Sequence, residues 1–347
     1  MKILWVSCRV IGNDLCGTTQ IALANGLAAR GHDITFVSPG EKPIDSLFHH
    51  NKIKEGRIKG FKSKSIALSF KKSTEIEADI RLVDWRLVPF LKKWLESSST
   101  PWYLVDRSPP ADSGIFSKIQ FWYWKRAWSL SKNGMAVSLA HSEFILKNTN
   151  TSANIDVIGG GVEPNKFKQS EFRKGKVKFI YIGKIDSNRD VNNLPEIILK
   201  FGGKLCVVGK GNISRKMKIK WEHNPDIEIL DSISNDLIPS LLHDSDVGLL
   251  PMPNQKIWRL ASPLKLAEYA AAGLLVAGID HQGNRLEFNP KWLFLADSMD
   301  AAIESTLTHI SDIKLRKSAR DDAINYLKWD KWVDKLELAL KTLTCIK

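Results

Sequence analysis

The feature of this sequence that most restricts its fold is the alternation of short apolar segments with segments whose apolar residues recur at helical spacing. Such alternation predicts a parallel sheet with helices on both faces, an α/β fold. In the first half of the chain the predicted strands are Lys2–Cys8, Asp33–Val37, Ile80–Asp84, Trp102–Val105 and Met135–Leu139, and the predicted helices are Thr18–Arg30, Leu87–Leu95, Ser117–Lys132 and Glu143–Asn148.

The alternation is interrupted by a Gly-rich, polar and charged stretch at Gly159–Lys176 and then restarts. The later strands are predicted at Val177–Ile182, Lys204–Val208, Ile227–Leu230, Val247–Leu250 and Leu274–Ala277, with helices at Asn192–Phe201, Asn235–Leu242 and Pro263–Ala272 and a helical tail containing Trp332, Leu336, Leu340 and Leu343. We predict two Rossmann-like, doubly wound domains facing a central cleft, residues 1–165 and 166–328, with a C-terminal helix over 329–347 that packs back on the first. Ligands of such sheets bind beyond the carboxyl ends of the strands.

Length and composition exclude several classes of protein. The chain has 347 residues, 43% apolar and 26% charged, which is typical of a soluble globular protein and not of a disordered one. No segment approaches the ~18 apolar residues of a membrane-spanning helix, and the N-terminal apolar run is too short for a signal peptide. The cysteines Cys8, Cys16, Cys206 and Cys345 form no C-x-x-C pair. We therefore expect reduced thiols in a cytoplasmic protein.

Positive charge is in excess and unevenly distributed. The formal net charge is +13, and the segment Lys42–Lys72 holds nine Lys or Arg against Asp45 and Glu55. A solvated loop is one interpretation of this segment. The other is a surface for an anionic partner, for which nucleic acid, acidic phospholipid or a phosphorylated substrate are equally suitable.

The loop IGNDLCGTTQ joins the first predicted strand to the first helix. Gly17 stands just before that helix, where backbone N–H groups can approach an anion, and Thr18 or Thr19 can cap it. The loop lacks both G-x-G-x-x-G and G-x-x-x-x-G-K-[ST], so it supports neither a dinucleotide motif nor a P-loop. Gly17 and Thr18 are candidate substrate-binding residues; a purely geometric role for the glycine is the alternative.

Two loops in the second half contain residues suited to a diphosphate. In GKIDSNRDV, Gly183 and Lys184 follow a predicted strand and Arg189 comes five residues after Lys184. Two cations at the carboxyl end of a parallel strand can clamp a diphosphate, although two solvated surface cations fit the spacing equally well. The turn VGKG contains Gly209, whose backbone admits a phosphate or a flat ring.

The segment ASPLKLAEYAAAG predicts a largely buried helix with its N-terminus in a ligand site. Ser262 is a suitable N-cap and Pro263 fits the first helical position. The free N–H groups of Leu264 and Lys265 suit an anion. Glu268, one turn on, can accept two hydroxyl hydrogen bonds from a ribose; a surface carboxylate is the alternative.

These segments together resemble a known family, the GT-B-fold glycosyltransferases of the large retaining family four. SPLKLAEYAAAGLLV is similar to its P-x-K-x-x-E-Y-x-A-x-G-x-P-V stretch, with Glu268 in the ribose-binding place. GKIDSNRDVNNL resembles G-R-L-x-x-x-K-G-x-x-x-L, with Lys184 and Arg189 in the two phosphate-binding positions. VIGGGVEPNKF and CGTTQIALANGLAARGHDITFVS resemble the interdomain and opening segments. The similar segments span most of the chain in the family's order.

Three positions depart from the family pattern. Leu260 stands eight residues before Glu268, where members commonly carry a second Glu that contacts the donor sugar. Gly160 replaces the usual Asn, and Gln20 replaces the usual Glu of the first loop. The resemblance therefore implies binding of a nucleotide and a diphosphate without defining the sugar.

The resemblance also implies a mechanism. The C-terminal domain binds a nucleoside diphosphate sugar as co-substrate, with no other cofactor, no metal and retention at the anomeric carbon. Lys184, Arg189 and the helix N-terminus at Leu264–Lys265 stabilise the leaving diphosphate. The family's histidine after a central strand is matched by VDRSPP, so Asp106 and Arg107 are the candidates for that place. Asp106 would hold or deprotonate a hydroxyl, or else cap a helix.

The N-terminal domain is expected to bind the acceptor. FSKIQFWYWKRAW, at residues 116–128, mixes Trp and Tyr with Lys and Arg as membrane interfaces do, while a core helix with snorkelling cations is the alternative. With the basic segment Lys42–Lys72, it favours a glycan or lipid-linked acceptor at the cytoplasmic face of an anionic membrane, where the protein is peripheral.

Two other functions fit parts of the sequence. A nucleotide-sugar epimerase shares the fold, but no R-E-x-T-E-R-P-E-like stretch is present. A nucleic-acid-binding protein fits the pI of about 9.4 but leaves the donor-site residues unexplained, so no nucleic-acid partner is expected.

Overall fold

The computed structural model describes residues 1–11, 15–56, 61–72, 76–110, 115–171, 174–262 and 264–345. Contacts divide the chain into two compact units, one of residues 1–160 with 329–347 and one of residues 161–328. The division predicted from the sequence falls after residue 165 and likewise assigns the terminal helix to the first unit.

The first unit is built on a parallel sheet whose strands are connected by helices, except between the second and third strands. Its strands are β1 (Lys2–Val6), β2 (Asp33–Ser38), β3 (His49–Lys52), β4 (Ile80–Asp84), β5 (Trp102–Val105), β6 (Asn133–Ala136) and β7 (Asn154–Val157), and its first five helices are α1 (Leu15–Ala29), α2 (Lys62–Lys71), α3 (Val88–Glu96), α4 (Ile115–Leu130) and α5 (Leu139–Asn148). The strand order is β3-β2-β1-β4-β5-β6-β7, with Lys2 opposite Asp33 and Ile3 opposite Ile80. The order therefore reverses between β1 and β4.

The second unit repeats this plan with six parallel strands. The strands are β8 (Lys178–Ile182), β9 (Lys204–Val208), β10 (Ile227–Leu230), β11 (Val247–Leu250), β12 (Leu275–Ile279) and β13 (Leu293–Ala296), and the helices are α6 (Leu194–Lys200), α7 (Ser214–Trp221), α8 (Ile238–His243), α9 (Lys256–Arg259), α10 (Leu264–Ala271), α11 (Met299–Leu307) and α12 (Ile313–Tyr326). The order is β10-β9-β8-β11-β12-β13, so it reverses between β8 and β11.

The last helix, α13 (Trp329–Cys345), belongs to the first unit and packs against α1. Trp332, Val333 and Leu336 are buried there, because apolar residues at helical spacing form one stripe that faces the sheet. The contact requires Gly26, since a Cβ at that position would lie 2.4 Å from a Val333 methyl group. An ion pair of 2.6 Å between Arg30 and Asp334 lies beside it.

The opposite face of the first sheet is covered by α2, α3, α4 and α5. The rings of Phe70 on α2 and Trp94 on α3 meet edge to face, with centroids 4.9 Å apart. Phe90 on α3 and Tyr123 on α4 lie 5.4 Å apart. These contacts place α2 and α4 on the same face of the sheet, on either side of α3.

In the described part of the chain, the structure contains no helix of the length and apolar character needed to cross a membrane.

Candidate active site

The carboxyl ends of β8 and β11, where the strand order of the second sheet reverses, carry the predicted diphosphate residues. Lys184 lies two residues after the end of β8 and is exposed. Its carbonyl oxygen accepts a hydrogen bond from the Tyr181 hydroxyl, with 2.8 Å between the oxygens. This bond fixes the backbone of the loop while the ammonium group stays at the surface.

Arg189 is placed by the ring of Trp258 and lies close to Tyr181. Its guanidinium lies over the Trp258 ring, with 4.6 Å from the guanidinium carbon to the ring centroid. The Trp258 indole N–H donates to the carbonyl of Asn188 over 3.2 Å. Burial raises the pKa of Tyr181, and the nearby arginine opposes that shift. The contact with the ring holds the Arg189 guanidinium in one position. A surface cation without such a contact would rotate freely.

Close backbone approach explains the glycines of these loops. The Gly183 N–H donates to the Val208 carbonyl over 3.0 Å. Gly209 has φ +151°, and a Cβ there would lie 1.8 Å from the Gly183 carbonyl oxygen. A Cβ on Gly211 would similarly meet the backbone of Ile185. Gly183 and Gly209 therefore lie side by side, as a shared role in phosphate binding would require. The close contact between their backbones is by itself sufficient reason for a glycine at both positions.

Helix α10 brings Glu268 to the same edge of the sheet. The Tyr269 hydroxyl accepts a hydrogen bond from the Ile182 N–H over 3.1 Å, so α10 is anchored to the end of β8. Glu268 forms an ion pair with Lys265, with 2.6 Å from Nζ to Oε2 and side chains 21% (Lys265) and 19% (Glu268) exposed. A half-buried carboxylate needs a partner, and for Glu268 this partner is Lys265, one turn earlier on the helix.

The start of α10 lies where the sequence places it. Leu264 is its first residue, Ser262 is half-buried in the preceding turn, and Pro263 lies outside the described residues. Leu260, which stands where the resembled family has a glutamate, is 7% exposed. A buried leucine cannot replace the hydrogen bonds of a carboxylate to a sugar, so this contact is missing from the site.

In the first unit, Asp106 is fully buried at the end of β5 and does not reach the surface. Its Oδ2 accepts indole N–H donors from Trp124 over 2.6 Å and Trp128 over 2.9 Å, and lies 3.3 Å from Nε2 of His141. Burial raises the pKa of Asp106, but His141 and the two indoles outweigh it, so the pKa lies below its ordinary value. The predicted contact of Asp106 with a hydroxyl of the substrate is therefore not available in this structure.

Arg107 is also turned away from a substrate. Its guanidinium is buried and donates to the carbonyls of Ile158 and Gly159, the latter over 3.1 Å. It therefore fixes the chain after β7. The expectation that Arg107 binds substrate is not supported, because these carbonyl contacts direct its guanidinium into the protein.

The first loop also differs from the prediction. Helix α1 begins at Leu15, so Gly17 and Thr18 lie inside its first turns and not at its N-terminus. Gly17 is buried and Thr18 exposed. The predicted capping role of Thr18 is wrong, since a cap precedes the first helical residue. Residues 12–14 of the loop lie outside the described part of the chain.

Sequence reasoning missed a polar cluster at the reversal point of the first sheet. Arg9 follows β1; its Nη2 donates to Oγ of Ser108 over 2.7 Å and its Nε lies 3.9 Å from Asp84 Oδ2. Trp85 donates its indole N–H to the Ser108 carbonyl over 3.0 Å. The available signal was an arginine within three residues of the end of each strand, Arg9 after β1 and Arg86 after β4.

The aromatic helix α4 divides into two faces. Trp124 and Trp128 are buried against Asp106, so these two aromatic residues of the segment 116–128 do not face a membrane, contrary to the interface interpretation of that segment. Trp122 is 54% exposed, with the Arg126 guanidinium 5.4 Å from its ring centroid. Helix α2 lies in the basic segment, and it exposes Lys64 and Lys71, with Lys72 exposed just after it. The side chain of Phe116 and residues 57–60, which include Arg57 and Lys59, lie outside the description.

Among the residues that the structure describes, no three His, Cys, Asp or Glu side chains are grouped as metal ligands.

Comparison with known proteins gives the class of this chain. Residues 176–312 match the family model described as Glycosyl transferases group 1. No curated protein matches the sequence. Sucrose-phosphate synthase from Thermosynechococcus elongatus superposes with a TM-score of 0.83 at 13% identity, covering 100% of both chains. A glycosyltransferase from Rickettsia africae gives 0.73 at 18%, covering 99% of this chain and 98% of that one.

A third similar structure is Anabaena HepE in complex with UDP, with a TM-score of 0.75 at 13% identity and coverage of 99% of this chain and 100% of that one. The fold is that of the GT-B glycosyltransferases. With the group 1 match over most of the second unit, the chain is a glycosyltransferase, and its resemblance to family four is confirmed at this level.

Proposed function

We propose that this enzyme transfers a sugar from a nucleoside diphosphate sugar to a hydroxyl of an acceptor, with retention at the anomeric carbon. The observation that carries the proposal is Arg189, stacked on the Trp258 ring beside the exposed Lys184 where the second sheet reverses its order. Similar structures named as complexes of HepE with UDP and with UDP-glucose support this class of donor.

The chemistry follows from the charges. The acceptor oxygen forms a bond to the anomeric carbon while the bond from that carbon to the diphosphate breaks, and the hydroxyl proton passes to the leaving phosphate. Lys184, Arg189 and the N–H groups at Leu264–Lys265 lower the energy of the departing negative charge. Glu268 holds the ribose hydroxyls. No metal and no further cofactor take part in this scheme.

The first unit binds the acceptor in this proposal. Asp106 does not contact the acceptor and has a structural role there. Its carboxylate orients Trp124 and Trp128 and so holds α4 on the sheet. Because the proton goes to the leaving phosphate, no carboxylate base is required.

A lipid-linked or membrane-associated glycan is the proposed acceptor. Helices α2 and α4 lie on one face of the first unit and expose lysines together with Trp122. Such a face suits the anionic cytoplasmic surface of a membrane, to which the protein would bind peripherally.

The test compares the wild type with the Lys184→Ala/Arg189→Ala double variant. We expect calorimetry to detect binding of at least one nucleoside diphosphate, and a tritiated sugar from the matching donor to enter the organic phase of a membrane-lipid mixture. The double variant should reduce transfer more than donor binding, because the leaving charge is greatest in the transition state. Absence of nucleoside diphosphate binding contradicts the proposal.

Two outcomes identify the competing functions. Release of nucleoside diphosphate and an epimerised sugar without any acceptor identifies an epimerase. Salt-dependent retention on RNA without nucleotide-sugar binding identifies a nucleic-acid-binding protein.

A further inference from the structure

Two arginines at the carboxyl edge of the first sheet have no part in the donor chemistry. Arg9 follows β1 and Arg86 follows β4, and these two strands are the neighbours between which the strand order reverses. In doubly wound sheets, ligands bind outside the carboxyl ends of the strands at this point. Both arginines therefore lie where the first unit is built to meet a ligand.

Arg86 is placed as a donor without an acceptor. Its guanidinium carbon lies 4.5 Å from the centroid of the Trp85 ring. Its Nη1 is buried and has no hydrogen-bond partner within the described ranges. A buried N–H group without an acceptor is costly in free energy, and a native protein that retains one generally does so for a reason. An oxyanion of a ligand would supply the missing acceptor.

Hydrogen bonds hold the surrounding loops in place. Asp84 Oδ1 accepts the Arg86 backbone N–H over 3.0 Å, and Asp84 Oδ2 lies 3.9 Å from Arg9 Nε. Ser108 accepts from Arg9 through its hydroxyl and from Trp85 through its carbonyl. The cluster thus joins the loops after β1, β4 and β5. Its two guanidinium groups and the buried Asp84 carboxylate leave it with a single positive charge.

We propose that Arg86 and Arg9 bind the phosphate group of an anionic acceptor. The proposal rests on the proposed function in assigning the acceptor to the first unit. A guanidinium donates two parallel N–H bonds to a phosphate, and a stacked aromatic ring keeps that fork in one orientation. The net single charge of the cluster matches the single charge of a phosphodiester. The acceptor is therefore a phosphorylated molecule, either a lipid with its headgroup or a free phosphate ester.

The test uses inorganic phosphate as its probe, in the Lys184→Ala/Arg189→Ala background so that the cations of the second unit do not contribute. Phosphate is titrated by calorimetry at constant ionic strength. We expect Arg86→Gln to weaken binding by about tenfold, the effect of a lost charge-assisted hydrogen bond. Arg86→Lys, which keeps the charge but not the fork, should weaken it less. Arg215→Gln, a change at an exposed arginine of α7, is the matched control and should change nothing.

A second arm distinguishes the source of the phosphate. Flotation is measured with vesicles of phosphatidylcholine alone and with added phosphatidylglycerol. Arg86-dependent binding of inorganic phosphate supports a site open to free phosphate esters. Arg86-dependent retention on phosphatidylglycerol vesicles without binding of inorganic phosphate supports a lipid headgroup. Identical behaviour of Arg86→Gln and Arg215→Gln in both arms overturns the proposal.

Failure of the proposed function gives a different result. UDP binding by the otherwise wild-type protein is measured for Arg86→Gln in parallel, and we expect it to equal that of the unmodified chain, since Arg86 lies in the other unit. If phosphate and vesicle binding do not depend on Arg86 while UDP binding is intact, only the acceptor site is refuted. Absence of UDP binding in the unmodified chain refutes the proposed donor, whatever Arg86 does.

Discussion

The guanidinium carbon of Arg189 lies 4.6 Å from the centroid of the Trp258 ring. Arg189 belongs to the loop after β8, and Trp258 to α9, which follows β11. The contact therefore joins the two loops on either side of the reversal point of the second sheet. Because Trp258 also donates its indole N–H to the Asn188 carbonyl, it fixes both the position of the cation and the backbone beside it.

Trp258 is expected to act as a positioning residue for the leaving diphosphate. Trp258→Ala should lower kcat by about tenfold or more, with a smaller effect on UDP binding, because a misplaced charge loses most in the transition state. Trp258→Phe keeps a ring under Arg189 and should restore part of kcat. Both are measured by steady-state kinetics and calorimetry.

The control for this prediction is Trp221→Ala. Trp221 also lies under a cation, with Lys220 Nζ 5.0 Å from its ring centroid, but it is on α7. If Trp258→Ala and Trp221→Ala lower kcat equally, general destabilisation explains the loss and the positioning role is wrong.

Glu268 is expected to bind the ribose of the donor. Glu268→Gln should weaken binding of UDP by about 1–3 kcal/mol, the scale of lost hydrogen bonds to a charged group. The release of Lys265 from its ion pair is part of this change. A cycle with 2′-deoxy-UDP checks the contact: if the carboxylate holds the 2′-hydroxyl, the substitution and the deoxy ligand are not additive in binding free energy.

Glu304→Gln, at an exposed residue of α11, is the matched control and should leave UDP binding unchanged. Strict additivity of Glu268→Gln with the deoxy ligand would place the carboxylate away from the 2′-hydroxyl.

Much of the fold was predictable because buried strands are apolar. The bounds of β5, β9, β10 and β11 agree with those predicted from the sequence. Strand β3 was missed since its sequence, HHNK, is polar and largely exposed at the sheet edge. Helix α7, SRKMKIKW, was missed for a similar reason: it buries only Ser214 and Met217.

The candidate site was predictable in part. Lys184, Arg189 and Glu268 could be selected as candidates because their positions after a strand and within a helix are local properties of the sequence. Trp258 was missed because its contact with Arg189 joins loops 69 residues apart in sequence. The orientation of Arg107 depends on where β7 ends, a strand with little apolar signal. On α4, Trp124 and Trp128 are four residues apart, a spacing that already places both on one face.

Asp106 is expected to make stability depend on pH. Its pKa in the folded protein is below the ordinary value, so its carboxylate stabilises the fold above the unfolded pKa of about 3.9, and this contribution is lost as pH falls through the folded pKa. At pH 7, Asp106→Asn should reduce the free energy of unfolding of the first unit by about 2–3 kcal/mol, the range for hydrogen bonds to a charged group. The deficit should shrink below about pH 4.

Urea unfolding followed by tryptophan fluorescence measures this deficit, because Trp124 and Trp128 contact the carboxylate. Asp334→Asn, at a residue whose side chain is 69% exposed, should have a much smaller effect. A deficit for Asp106→Asn that stays constant from pH 7 to pH 3 would show that the charge of Asp106 does not contribute to stability.

The exposed lysines of α2 and Lys72, the residue after it, are expected to bind the first unit to anionic membranes. Reversal of Lys64, Lys71 and Lys72 to Glu should release the protein from vesicles containing phosphatidylglycerol, because each basic residue near such a surface contributes about 1 kcal/mol. Binding of the unmodified protein should fall as salt is raised, since exposed charges are screened over roughly 8 Å at physiological ionic strength. Flotation measures both effects, and UDP binding should not change.

A control with the same loss of charge reverses three exposed lysines of the second unit, Lys291, Lys314 and Lys317. Equal flotation of the two triple variants would assign binding to net charge alone, and flotation with neutral lipid at high salt would assign it to Trp122 and the other exposed apolar side chains.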